Sequence, residues 1–166
     1  MERHIPDPGF AGDTGDADAH LATALAAYAA HESSHGDVLL ALQDARLLVP
    51  VVAMLGEVEY DDKGLAHDKT SDMAAVLMQG ADGRLALLAF TSTDALAAWN
   101  PDARPVPVAA RLAAQSARQE EAAALVLDIA GPTTLVVEGD DLVALAAGWL
   151  RAVVGEQSAW IGPTPH

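Results

Sequence analysis

The spacing of apolar residues changes several times along the chain, and each change marks an element. Between Ala19 and Ala30, Leu21, Leu25 and Tyr28 recur at helical spacing among strong helix formers. A polar break follows at His31–Gly36. Val38, Leu39 and Leu42 then share one face of a second helix, expected from Asp37 to about Ala45 with Asp37 as its cap. Arg46 leads into an apolar run, Leu47–Leu55, that reads as a strand. Pro50 has no amide hydrogen to give a neighbouring strand, so this strand is expected at a sheet edge or at the start of a ladder. Residues 56–69 read as a polar loop punctuated by Gly56 and Gly64.

Met73–Met78 and Leu85–Phe90 are apolar runs joined by Gly80-Ala81-Asp82-Gly83, where Asp-Gly supplies the positive φ of a hairpin. Thr91 or Ser92 can cap a short helix ending at Trp99, with Asp94 in its first turn. Pro101, Pro105 and Pro107 force an extended segment after it. Ala109 to about Glu121 reads as a helix. Ala124–Ile129 and Thr133–Val137 form a second hairpin around Gly131-Pro132, and Asp140 can cap a final helix, Asp141 to about Val153. Residues 1–18 are rich in Gly, Pro and Asp and read as a flexible acidic tail. The expected organisation is that tail, one domain over 19–153, and an irregular C-terminal tail over 154–166. Helices and hairpins come in blocks, which favours an α+β fold: a mostly antiparallel sheet of about five strands covered by helices.

Composition adjusts this picture. Of the 166 residues 51% are hydrophobic but only 4% aromatic, so the core must be built from Ala, Leu and Val. The few large side chains, Phe90, Trp99 and Trp149, should carry much of the packing. The formal net charge of −15 repels phosphate backbones and anionic membrane surfaces, which argues against nucleic-acid and membrane partners. There is no cysteine, hence no disulfide, thiol nucleophile or thiolate metal site. The N-terminus lacks the apolar core of a signal peptide, and no uninterrupted apolar stretch reaches the ~18 residues of a membrane span. A soluble cytoplasmic protein is expected.

One motif invites a chemical reading. His31-Glu32-Ser33-Ser34-His35 matches H-E-x-x-H, which in zinc peptidases sets two imidazoles one helical turn apart, with the Glu as general base. That geometry requires an unbroken helix. Here the two serines favour caps, and Gly36-Asp37 reads as one helix ending and another beginning. The motif is therefore read as a solvated loop, with no metal or cofactor assigned. Gly-x-Ser-x-Gly, Walker and Gly-x-Gly-x-x-Gly patterns are absent, and no catalytic set is assigned.

The order of Leu47–Val52, Asp68–Met73, the first hairpin and Ala89–Trp99 resembles the N-terminal domain of the SseB family, in an alanine-rich form found in actinobacteria. The resemblance runs from about Leu21 to Arg151 and is most specific at Ala45–Val52, Lys69–Ala75, Leu87–Trp99 and Leu125–Pro132. It implies a fold rather than a chemistry. It covers the N-terminal domain without the second domain of longer members, so a single-domain form is expected.

Lys69, Asp72, Thr91, Ser92 and Trp99 form a candidate binding surface within this segment; equally, Lys69 could pair with Asp72, Thr91 could cap a helix, and Trp99 could seal the core. Trp160, in the expected tail, is a candidate for an intermolecular contact. The expected function is a non-enzymatic interaction or regulatory module. Its partner is a protein of unknown identity or a second copy, met through the sheet edge near Pro50 and the Thr91–Trp99 segment. The alternative is a small-ligand-binding protein or enzyme with a polar pocket containing Lys69, Asp72 or the His31/His35 pair.

Overall fold

The computed structural model describes residues 12–53, 59–60, 66–67 and 73–162. Two helices come first, α1 (Ala19–Ala29) and α2 (His35–Leu42), then strand β1 (Arg46–Ala53). The short strands β2 (Glu59–Tyr60), β3 (Ala66–His67), β4 (Met73–Ala75) and β5 (Leu77–Gln79) lead to β6 (Leu85–Ala89). Next come α3 (Thr93–Trp99), β7 (Arg104–Ala109), α4 (Ala110–Gln119), β8 (Ala124–Leu127), β9 (Leu135–Glu138) and α5 (Gly139–Ala147). The described chain closes with β10 (Leu150–Val154) and β11 (Gln157–Ile161). The fold is α+β.

The expected single sheet of about five strands is instead divided among smaller ones, β4-β1-β7, β5-β6-β8-β9 and the ribbons β2-β3 and β10-β11. The division has a local cause. The run from Met73 leaves β1 at Ala75 and joins β6 at Leu77, so one segment serves two sheets. The two larger sheets remain stitched together. Leu48 and Phe90 exchange backbone hydrogen bonds of 2.7 and 2.8 Å, and Leu88 N–H donates to the Val76 carbonyl. Every described pairing is antiparallel except β6 with β8.

That parallel pair explains two uninterrupted apolar runs. Side chains alternate between the faces of a strand. Leu87, Ala89, Leu125 and Leu127 point into the larger core with Leu21, Leu39, Leu42 and Leu145. Leu88, Phe90, Ala124 and Val126 point into a smaller core with Ala95 and Leu96 of α3. Strands buried on both faces tolerate no polar position. Alanine is useful where helices meet: Ala110, Ala113, Ala114 and Ala117 form the buried side of α4.

Pro50 is not at an edge. β1 is the central strand of its sheet, with Arg46–Val51 along β7 and Val51–Ala53 along β4. Because Leu48 bonds Phe90 on the flank away from β7, Pro50, two residues on, faces that flank too. It sits between the Phe90 bridge and the start of β4, where no ladder bond is required. The exposed edge is β7, and there Pro107 lies opposite Leu48 and Pro105 opposite Pro50. By the same alternation, both prolines remove amides from the outer flank of β7.

Three other boundaries differ from expectation. Residues 12–18 are docked rather than a free tail: the Gly15 carbonyl accepts from Thr93 N–H at 2.9 Å, and Asp18 caps α1. Ser34, not Asp37, caps α2; Asp37 is the third residue of a reciprocal capping box. The last helix stops at Ala147, where Gly148 takes the left-handed conformation that ends helices. The chain beyond it, expected to be helix and then irregular, forms the β10–β11 hairpin.

Candidate functional site

The polar residues singled out from the sequence mostly fasten elements together. Thr91 follows β6 and Asp128 follows β8, so the parallel pairing brings them side by side. Both are buried, at 5% and 2% exposure. Asp128 accepts from the Thr91 hydroxyl at 2.7 Å and from the Thr91 amide at 2.8 Å. Burial raises the Asp128 carboxyl above its ordinary 3.8, and the two Thr91 bonds pull it back down. Thr91 therefore presents no side chain to a partner. Ser92 caps α3 through Ala95 N–H, and Trp99 is half-buried with its ring 5.5 Å from that of Phe90. Lys69 and Asp72 lie outside the described residues.

Arg46 ties this bolt to the N-terminal stretch. It donates to the Thr91 carbonyl at 3.0 Å, and its Nε and Nη2 grip the Asp13 carboxylate at 2.7 and 2.8 Å. Gly15 allows the close approach. A Cβ there would lie 2.6 Å from the Thr93 side chain, and its φ of +81° suits glycine.

The H-E-x-x-H residues do not share a helix face. α1 ends at Ala29, His31 is left-handed at φ +61°, and α2 begins at His35. His35 is used elsewhere. Its Nε2 lies 2.8 Å from the Val136 carbonyl on the outer edge of β9, and its ring meets Tyr28 edge-on. His31 and Glu32 instead line an open cleft of about 630 Å³ between the α1–α2 turn and the β10–β11 turn, with Ser33, Asp37, Arg151 and Glu156. The buried Ser33 hydroxyl has no protein partner there.

Trp160 is part of an internal clasp. Its indole N–H donates to Asp141 at 2.9 Å, and the Arg151 guanidinium lies over its ring at 5.1 Å. Arg151 also donates to the Ser158 hydroxyl and carbonyl. Gln43 closes the outer edge of β10: its amide accepts from Arg151 N–H at 2.7 Å and donates to the Arg151 carbonyl at 2.8 Å, as a neighbouring strand would.

The clasp turns Arg151, Ser158 and Trp160 inward, while Val153 on the same side of the ribbon is 66% exposed. The opposite side carries Leu150, Ala152 and Val154 of β10 and Ala159 and Ile161 of β11, with Gln157 the one polar position. Leu150, Val154 and Ile161 are 59%, 57% and 50% exposed. Trp149, expected in the core on the last helix, lies beyond Gly148, is 41% exposed and packs on Gly162.

Sequence reasoning did not single out Asp128, Asp141, Arg151 or Gln43. For Asp128 a signal existed: it is the first polar residue after the wholly apolar Ala124–Leu127. The other three are joined only by the hairpin's return to α2 and α5, which no local pattern encodes.

Among the described residues no helix is long and apolar enough to cross a membrane, and no cluster of three or more His, Asp or Glu is arranged to hold a metal. A family model described as SseB protein N-terminal domain matches residues 21–144. No curated protein and no solved structure matches the chain.

Proposed function

The chain belongs to the SseB N-terminal-domain family, and on that premise we propose that it is a non-enzymatic module that works through protein contacts. The observation that carries this reading is the use of its polar and apolar groups. Thr91, Asp128, Arg46, His35 and Arg151 are engaged in holding elements together. The outer face of the β10–β11 hairpin is apolar and open. Contiguous apolar surface on an otherwise charged molecule marks a contact site. Its position differs from the surface expected around Pro50 and Thr91–Trp99. β7 is blunted by Pro105 and Pro107, and Thr91 faces inward.

A photo-crosslinking residue placed at Val154 in the native host tests the reading, with the same residue at the exposed Leu112 of α4 as reference. Discrete protein adducts from Val154 and not from Leu112 are expected. Adduct patterns that do not differ between the two positions would remove the support for a contact module.

A second reading rests on the cleft beside α2. The unpartnered Ser33 hydroxyl and the Arg151 guanidinium offer hydrogen bonds to a small polar molecule, while Glu32, Asp37 and Glu156 favour one with a positive group. Isothermal titration with free amino acids and small polyamines tests it. Saturable heat that Ser33→Ala abolishes would move this reading ahead of the first.

A further inference from the structure

We propose that the segment Met73–Gln79 takes up an extended, lysine- or arginine-bearing segment of another protein as an added strand. This rests on the contact-module reading and names a second surface, with the chemistry of its partner. The segment is β4 and β5 in succession, so it is at once an outer edge of β4-β1-β7 and of β5-β6-β8-β9. Its backbone keeps one parity throughout. Val52 lies on the flank of β1 that bonds Phe90 through Leu48, and it stands opposite Ala74. The Val76 carbonyl accepts from Leu88 N–H, and Gly80 N–H donates to the Arg84 carbonyl in the turn that follows. Backbone groups alternate between the two flanks of a strand, so Ala74, Val76, Met78 and Gly80 face inward. Met73, Ala75, Leu77 and Gln79 therefore turn both N–H and C=O outward, over a span of roughly 20 Å. Among the described residues none donates to these outward groups or accepts from them.

The opposite edges of the two larger sheets each carry an obstruction. Pro105 and Pro107 blunt β7, and His35 sits on the Val136 carbonyl of β9. Met73–Gln79 has neither a proline nor a charged residue to deter a neighbouring strand. What completes such an edge is fixed by its hydrogen-bonding groups: an extended backbone, whose own N–H and C=O recur at the same spacing.

Two observations select the side chains of the occupant. Ala75 and Leu77 are half-buried against the larger core and Val76 and Met78 against the smaller one, so an added strand meets apolar neighbours on both faces. Beside Met78 an open cavity of about 220 Å³ is floored by Ala86 and Ala124, and Asp82, Glu138 and Arg84 supply its charges. Two carboxylates against one guanidinium, in a chain of net charge −15, suit a side chain with an apolar stem and a cationic head. The same net charge repels a second copy of the chain, so the strand comes from a basic partner.

The probe is an end-capped heptapeptide alternating valine and lysine, titrated into the full chain and followed by amide NMR. Saturable shifts are expected at Ala75, Leu77 and Gln79, with Val136 on β9 unmoved. The counterpart alternating valine and glutamate should bind at least about tenfold more weakly. N-methylation of every backbone amide of the valine–lysine peptide keeps its side chains and charge but removes its donors, and should abolish the shifts. Ala75→Pro and Gln79→Pro each delete an outward N–H without touching the inward ladder, and each should raise the dissociation constant by more than about fivefold. Circular dichroism verifies that both variants are folded. Absence of shifts at these amides up to millimolar peptide overturns the proposal. So does an N-methylated peptide that binds equally well, which would mean attraction by charge alone, or a glutamate peptide that binds as tightly. Shifts at the same amides on concentrating the protein alone would assign the edge to a second copy and also overturn it. Adducts from Val154 judge the contact-module reading separately, and it stands if they form while the peptide fails to bind.

Discussion

Replacing Thr91 with Val removes one hydroxyl from the interior at almost constant volume, and the consequences are calculable. The hydroxyl donates to a buried carboxylate at 2.7 Å, and the Thr91 amide bond at 2.8 Å remains. Hydrogen bonds to charged groups contribute about 1.5–3 kcal/mol, neutral ones about 0.5–1.5. The variant should lose about 1.5–3 kcal/mol near pH 8, or about 3–12 °C in Tm for a domain of this size. The pH dependence follows from Asp128. Burial holds its carboxyl above 3.8, so the folded state binds that proton more tightly than the unfolded chain does. Its contribution to stability is then fullest below 3.8 and is lost as pH rises through the raised folded value. The Thr91 bonds limit that loss. Removing one pushes the carboxyl higher, so the deficit of Thr91→Val should shrink to about 0.5–1.5 kcal/mol once Asp128 is protonated. Urea unfolding of wild type and variant, followed by tryptophan fluorescence at matched pH values, measures the difference; carboxylates common to both proteins cancel. A deficit under about 0.5 kcal/mol near pH 8, or one that does not change with pH, would refute this account of the bolt.

Other substitutions probe the remaining fasteners. Arg46→Ala should cost about 1–3 kcal/mol by leaving Asp13 without its partner, and hydrogen exchange at Gly15 and Thr93 should quicken as residues 12–18 come away. Gln43→Ala should accelerate exchange at Arg151 while leaving β6 and β8 unchanged, as read from amide exchange by NMR. Leu125→Ala, at the centre of the larger core, should cost about 2–5 kcal/mol in urea unfolding, because neighbouring strands hold the cavity open.

The parts of the fold legible in the sequence are those written in local patterns. The helix periodicity at Leu21, Leu25 and Leu39, the Asp82-Gly83 turn and the Ser92 cap each depend on a few neighbouring residues. The strands were legible, but their assembly into sheets was not. Pro50 looked like an edge residue because proline's missing amide is a local fact, whereas the flank it faces is set by Phe90, forty residues on. The C-terminal hairpin was missed because Leu142, Leu145 and Trp149 keep helical spacing across Gly148, as if one helix continued. Gly148 ends the helix, and the β-branched pair Val153-Val154 suits a strand. That miss carried the candidate site with it. Trp160, placed by its sequence position in an irregular tail, is held by Asp141 and Arg151, while no local pattern marks Leu150, Val154 and Ile161 as open. The His31–His35 motif went the other way: Ser34 and Gly36 signalled the helix break that separates the two imidazoles.

The measurement that tests the contact-module reading most directly is photo-crosslinking in the native host from residues placed at Leu150, Val154 and Ile161, with Leu112 and Val143 as references. Discrete protein adducts from the three hairpin positions and not from the two helix positions are predicted. Adduct patterns that do not differ between the two sets would contradict it.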